Sequence, residues 1–436
     1  MSLQNDSRAF ANLESLSNLP FNAVTENDGI EYQRSNASES LDDGGPETDS
    51  SDDDLDDDDL DDMFDTLYDL VELDNHTQPL FTRDILNRFA EEQASIQQRL
   101  KEGSTPSTVD SVTGRGSNGQ PYILWTASQD KRQNTVFVEY ITRIDSLRAF
   151  QAKFGSVSAR LSPLLRYNTD KAEVDKKWIP VPYFFTTLAR AFDTEHLNKH
   201  KEMNNWVNIL KRTKSLWQKS SSRSKLVQLM SAATQTTPIK KIVCFGLGQL
   251  SHDKAYYSSA IQHMAVFTMA TCLNKINKEN DPNAVPIKII LQDPCYVEKD
   301  HQLFKWLYAA RDDVEFVSDP QGLLAVDANT MVVTAHLPVS VPLMQILADL
   351  FMDDAKTGPA MLLCDIMHLD VNKRNYCYAD RAAPHVAHWI TSGYEKLKRG
   401  FSDHVLEPEL RLDTFGDGSH RNMKYWLTGM DFFIRK

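Results

Sequence analysis

From residue 240 to residue 366, apolar runs of four or five residues alternate with stretches of helical periodicity. Few folds accept that pattern. Lys241-Ile-Val-Cys-Phe245 is the first run, and it ends in Gly246-Leu-Gly248. Ile261, Met264, Ala265, Thr268, Cys272 and Ile276 then recur on one helical face. Ile287–Leu291, Val314–Val317, Met331–Thr334 and Met361–Cys364 read as further strands, with helices over Leu303–Ala310 and Leu343–Phe351. A strand apolar at nearly every position must be covered on both faces, which is the mark of a parallel sheet. Alternating strands and helices joined by right-handed crossovers predict an α/β fold with a Rossmann-like, doubly wound, mostly parallel sheet.

Upstream the character changes. Residues 1–78 read as a disordered acidic tail, too poor in periodic apolar positions to offset the entropy of ordering. Phe81, Ile85, Phe89, Ile96 and Leu100 predict an amphipathic helix over 79–102, stopped by Gly103. Residues 103–120 read as a linker and 121–235 as an α+β extension. Within that extension, Tyr122–Thr126 and Val136–Ile141 predict a hairpin, and a helix is expected around Arg143–Phe154. Residues 184–232 read as largely helical, with a weak point at Ser220–Ser222. The α/β domain then occupies 236–436.

Candidate chemistry gathers where strands end. In open α/β sheets, ligands bind at the carboxyl ends of the strands. Gly246 and Gly248 follow the first strand, and a glycine turn there either cradles a phosphate or cofactor or is simply a tight turn into the next helix. The dinucleotide fingerprint asks for a third glycine where Ser251 stands, and for an acid about 20 residues on. Asp293, after the second strand, is much later. Asp293, His336 and Asp365 follow three different strands, so Asp293, His336 and Ser251 are expected to share a cleft. A histidine oriented by an aspartate could act as acid or base, although N-capping and ordinary hydrogen bonding explain both residues as well. Cys364, His368, Cys377, His385 and His388 follow no standard zinc spacing, so no metal site is expected.

The run Ile242-Val-Cys-Phe-Gly-Leu-Gly248 with Ser251, then Ile289-Ile-Leu-Gln-Asp-Pro294, Val332-Val-Thr-Ala-His-Leu-Pro338 and Leu362-Leu-Cys-Asp365 resembles the SRR1-like (sensitivity to red light reduced) domain in its fungal form. Relatives in plants and animals commonly read Pro-His-Cys-Pro where this chain has Ala335-His-Leu-Pro338, so a thiol beside His336 is lacking. The resemblance implies a regulatory protein and carries no catalytic residues with it.

Charge sharpens the functional expectation. The chain carries −14, but residues 42–74 hold 15 Asp and 2 Glu with no Lys or Arg, which leaves the rest slightly basic at +3. Leu55, Leu60, Met63, Phe64, Leu67 and Leu70 interleave with those acids, a composition of partner-binding disordered segments as well as of solubilising tails. Protein partners are therefore expected through 42–74. Lys199–Lys225 carries eight basic residues against Glu202 alone, with Trp206 and Trp217 between them. The tryptophans fit a core-facing stripe with a solvated basic face opposite, so nucleic-acid binding is not expected. Five cysteines without a C-x-x-C pair read as reduced thiols. With no signal peptide and no run long enough to span a membrane, the expected location is cytoplasm, nucleus or both. The reading is a regulatory protein with a candidate ligand edge at Gly246, Gly248, Ser251, Asp293, His336 and Asp365. The alternative is an enzyme using a nucleotide or S-adenosylmethionine at the Gly246–Gly248 turn. Cofactor and oligomeric state are not legible.

Overall fold

The strand runs and the helical runs are realised as one sheet with its covering helices. In the computed structural model, the described residues are 79, 81–102, 111–115, 121–125, 134–140, 183–189, 199–250, 256–307, 313–335, 337, 341–373, 381–397 and 426–436. They all fall within the compact unit 68–436. The acidic tail 1–78, the helix expected around Arg143–Phe154, Ser251, His336 and Cys377 lie outside the described residues.

Helix α1 (Arg83–Glu102) opens the order. Strands β1 (Ser111–Arg115) and β2 (Pro121–Trp125) pair antiparallel, as do β3 (Asn134–Tyr140) and β4 (Tyr183–Ala189). The hairpin expected between Tyr122–Thr126 and Val136–Ile141 therefore does not form. Each of those strands takes another partner, and the residues read as a linker supply β1. Tyr183–Ala189, read as the start of a helical stretch, is a strand, as its Tyr-Phe-Phe-Thr-Thr run favours. Helices α2 (Lys199–Lys219) and α3 (Ser221–Met230) follow. The weak point is a real break, where the Ser220 side chain caps α3 by accepting from the Arg223 N–H at 3.1 Å.

The main sheet is mixed and seven-stranded. Its strands are β5 (Lys241–Phe245), β6 (Lys288–Gln292), β7 (Val314–Val317), β8 (Thr330–Thr334), β9 (Met361–Asp365), β10 (Tyr394–Lys396) and β11 (Met430–Arg435). Across the sheet they run β10-β11-β9-β8-β5-β6-β7. β9, β8, β5, β6 and β7 are parallel. β11 is antiparallel to both of its neighbours. Between the strands lie α4 (Tyr256–Asn280), α5 (Glu298–Leu307), α6 (Gln321–Ala325), α7 (Leu343–Leu350) and α8 (Pro384–Gly393).

Strand residues are buried on both faces, which is why their sequences lack alternation. Val243, Phe245, Ile290, Val332, Leu362, Cys364 and Phe433 share one cluster with residues of α1, α7 and α8. Ile242, Cys244, Ile289, Leu291, Met331, Val333 and Leu363 are buried as well. Each fully buried side chain of this size contributes about 1.5–3 kcal/mol.

Helix α1 belongs to this core. Phe81, Leu86 and Phe89 are fully buried. Its start is pinned at several points. The Thr82 hydroxyl accepts from the Ile85 N–H at 3.2 Å, the Asp349 carboxylate accepts from the Phe81 N–H at 3.0 Å, and Arg83 donates to the Leu324 and Val326 carbonyls at 3.0 and 2.7 Å. The tryptophans of α2 are core residues, as their spacing suggested. Trp206 and Trp217 are buried, and the Trp217 indole donates to Thr268 at 3.0 Å, while Lys211 and Arg212 face solvent.

Candidate functional site

The carboxyl ends of β5, β6 and β7 meet around the Gly246–Gly248 turn. β5 runs out into Gly246, whose N–H donates to the Gln292 carbonyl at 3.1 Å. Both glycines hold positive φ, +73° and +76°, which side chains rarely adopt. A Cβ on Gly246 would come within 2.6 Å of Leu337 and 2.9 Å of the Ala335 carbonyl, and one on Gly248 within 2.4 Å of the Ser259 hydroxyl. The glycines are thus required by the chain's own packing against the end of β8 and against α4.

Asp293, one residue past β6, is built into the turn. One carboxylate oxygen accepts from the Gly248 N–H at 2.7 Å, and the other from the Cys295 N–H at 2.7 Å. The fully buried Asp300 carboxylate accepts from Leu250 at 2.8 Å and from Val297 at 2.8 Å, clamping the same turn to the start of α5. The N–H groups of Gly246, Gly248 and Leu250 are therefore all donated within the chain, two of them to carboxylates. The sequence left this turn open between a cradle for a phosphate or cofactor and a tight turn into the next helix. Its geometry is that of a carboxylate-braced turn, because the acids that follow β6 reach it first.

Next along the edge, the Gln292 side chain accepts from the Gly322 N–H at 2.7 Å. Asp319, two residues past β7, accepts a hydrogen bond from the Tyr140 hydroxyl. Burial lifts the Asp319 carboxyl to about 7, against hydrogen bonds from Tyr140 and Gln292 that pull it down. Tyr140 itself is held well above its ordinary value, by burial first and then by the charge of Asp319.

Behind the turn, His263 of α4 is wholly buried. Its Nδ1 lies 2.6 Å from the Ser259 carbonyl and its Nε2 2.8 Å from the Tyr296 hydroxyl. Burial lowers this imidazole to about 4, against the Ser259 hydrogen bond. It is neutral near pH 7, so Nδ1–H donates to the carbonyl and Nε2 accepts from Tyr296.

Asp365 ends β9, three strand spacings from β6, which at roughly 4.8 Å each is about 14 Å from Asp293. It pairs with Arg381 at 3.5 Å, and the Thr334 hydroxyl lies at 3.4 Å. The edge thus brings together Gly246, Gly248 and Asp293 and leaves Asp365 in a separate group with Arg381. Gln292, Asp300, Asp319 and Tyr140 were not singled out in the sequence. Gln292 and Asp319 flank strand ends and could have been; Asp300 lies inside a helix and Tyr140 comes from a distant segment.

Among the described residues, no group of three or more His, Cys, Asp or Glu stands together as metal ligands would. Cys364 is buried in β9, and His368 and His388 are exposed. His385 instead approaches the buried Asp349 at 3.3 Å. Among the described residues, no helix is long and apolar enough to cross a membrane.

The chain matches the family model of the SRR1 domain over residues 195–407, just under half of its length. No curated protein and no solved structure matches.

Proposed function

This chain is an SRR1-like domain protein, and on that premise we propose that it is a regulatory protein of the fungal type, working through protein partners and through a small ligand at the carboxyl edge of a Rossmann-like, doubly wound sheet. What supports the sheet reading is the strand order. Numbered along the chain, the main sheet runs 3-2-1-4-5 before its last two strands, and that order reverses between β5 and β8. Such a reversal opens a crevice at the carboxyl ends of the strands. Gly246, Gly248 and Asp293 stand there; Ser251 and His336 belong to the same edge by sequence.

The partner reading is carried by residues 42–74, whose interleaved acids and apolar residues suit an induced fit into a basic-rimmed groove. The expected location is cytoplasm, nucleus or both. The alternative is an enzyme using a nucleotide or S-adenosylmethionine at the Gly246–Gly248 turn.

The test is genetic complementation of a deletion strain with the full chain, with the chain lacking 42–74, and with Asp293→Asn. We expect both altered chains to fold and to fail. Full complementation by a folded Asp293→Asn chain sinks the ligand edge. Full complementation by the chain lacking 42–74 sinks the partner role of that segment.

A further inference from the structure

Resting on the reading of the carboxyl edge as a ligand site, we infer that its occupant is an adenosine nucleoside with a cationic or neutral 5′ group, of which S-adenosylmethionine is the type, and not a phosphate-bearing nucleotide. The inference comes from what the turn has already spent. A phosphate bound after the first strand of such a sheet needs free backbone N–H groups on the turn. Here those of Gly246, Gly248 and Leu250 are donated to the Gln292 carbonyl, the Asp293 carboxylate and the Asp300 carboxylate. A phosphate at this turn would meet no free donor among those three and two negative charges at short range. A sulfonium or an uncharged group meets a favourable field.

The acids that repel a phosphate suit the rest of such a nucleoside. Asp293 ends the strand next to the turn, where a carboxylate takes the hydroxyls of a ribose. Each of its oxygens accepts one backbone N–H and retains a lone pair, so a vicinal diol can donate to both. One strand further out, the carboxyl of Asp319 accepts from Tyr140 and from Gln292, and the lone pairs that remain on a carboxyl can take an exocyclic amine such as that of adenine.

Topology points the same way. A dinucleotide sheet has the order 3-2-1-4-5-6. Here the reversed strand β11 is inserted between β9 and β10, giving 3-2-1-4-5-7-6. That is the strand order of sheets that hold S-adenosylmethionine. The inference concerns binding and assigns no transfer chemistry.

The experiment is calorimetric titration of the full chain with S-adenosylmethionine, S-adenosylhomocysteine, ATP and NAD, repeated on Asp293→Asn. The expected result is saturable binding of the two S-adenosyl compounds, ATP and NAD at least tenfold weaker, and an S-adenosylmethionine affinity reduced at least tenfold in a variant that melts normally. If the variant melts early, ultraviolet cross-linking of labelled S-adenosylmethionine to the unaltered chain replaces it, with adducts expected in 245–250 or 293–297. Adducts elsewhere overturn the inference, as does S-adenosylmethionine binding undiminished in a folded variant. Preferential, Asp293-dependent binding of ATP or NAD overturns the ligand class and leaves the edge standing as a site. Binding of none of the four overturns the class as well, while complementation by Asp293→Asn decides separately whether the edge matters at all.

Discussion

The Tyr140 hydroxyl donates to the carboxyl of Asp319, a residue 179 positions further on, and the same tyrosine ring packs edge-on against Phe81 and Phe89 at 5.9 and 5.8 Å. One side chain therefore links helix α1 to the end of β7. Tyr140→Phe keeps the ring contacts and removes the hydrogen bond. We expect a loss of about 1–3 kcal/mol in urea unfolding, because the buried Asp319 carboxyl loses one of its donors. With that donor gone, the Asp319 carboxyl should titrate higher still, which carboxyl-region NMR or infrared spectroscopy can follow.

Asp319 also gives stability a pH dependence. Its folded value, about 7, exceeds its ordinary 3.8, so between those values the folded state holds the proton more tightly. Its favourable contribution is complete below the unfolded value and is lost as pH rises through the folded one. Asp319→Asn should therefore gain on the unaltered chain between pH 4 and pH 8. A melting-temperature difference constant across that range would refute this.

His263 acts in the opposite sense. Its folded value of about 4 lies below the ordinary 6.5, so the unfolded state takes up the proton first as pH falls. Stability is intact above about 6.5 and is lost on acidification towards 4, by on the order of 3 kcal/mol in total. His263→Gln removes this loss. The gap between the two proteins in urea midpoint should close as pH drops, whatever the variant costs at pH 7.

Gly246→Ala and Gly248→Ala should each destabilise by about 1–3 kcal/mol, since the φ of each residue is positive and the added methyl lands on Leu337 and Ala335 or on Ser259. Chemical denaturation measures this directly. The consequence is practical: a bulky residue at Gly248 tests folding before it tests any ligand, so Asp293 is the better probe of the edge.

A fragment limited to 195–407 should fail to fold. It lacks α1 with Leu86 and Phe89, and Phe81 just ahead of it, all fully buried in the core cluster, and it lacks β11, which lies inside the sheet. A fragment from 79 to 436 should give cooperative unfolding by circular dichroism, and 195–407 a featureless melt. A cooperative melt from the shorter piece would mean that α1 and β11 are dispensable.

Strands β5 to β9 were legible because a run such as Ile242-Val-Cys-Phe245 has no exposed side to encode, and a parallel strand buried on both faces reads as unbroken apolar sequence. The capping serine at 220 and the two core tryptophans were legible for equally local reasons. The pairings of β1 to β4 were not, since nothing in Tyr122–Thr126 says which neighbour it will take. α8, β10 and β11 went unread. Phe432-Phe-Ile434 carries the apolar signal of a strand, but only the topology gives it an interior place. At the edge, the sequence located Gly246, Gly248 and Asp293 correctly as neighbours of strand ends. What it could not convey is that Asp293 and Asp300 turn back onto the glycine loop, where their carboxylates accept the Gly248 and Leu250 N–H groups.

The insertion of β11 between β9 and β10 also sets the timing of folding during synthesis. Until residues 430–435 have emerged, β9 has an open edge with unpaired backbone groups, and β10 has no strand to pair with. The sheet is thus incomplete until that strand arrives. A nascent chain stalled before that point would present a bare, apolar strand edge to any chaperone, or to another nascent chain nearby.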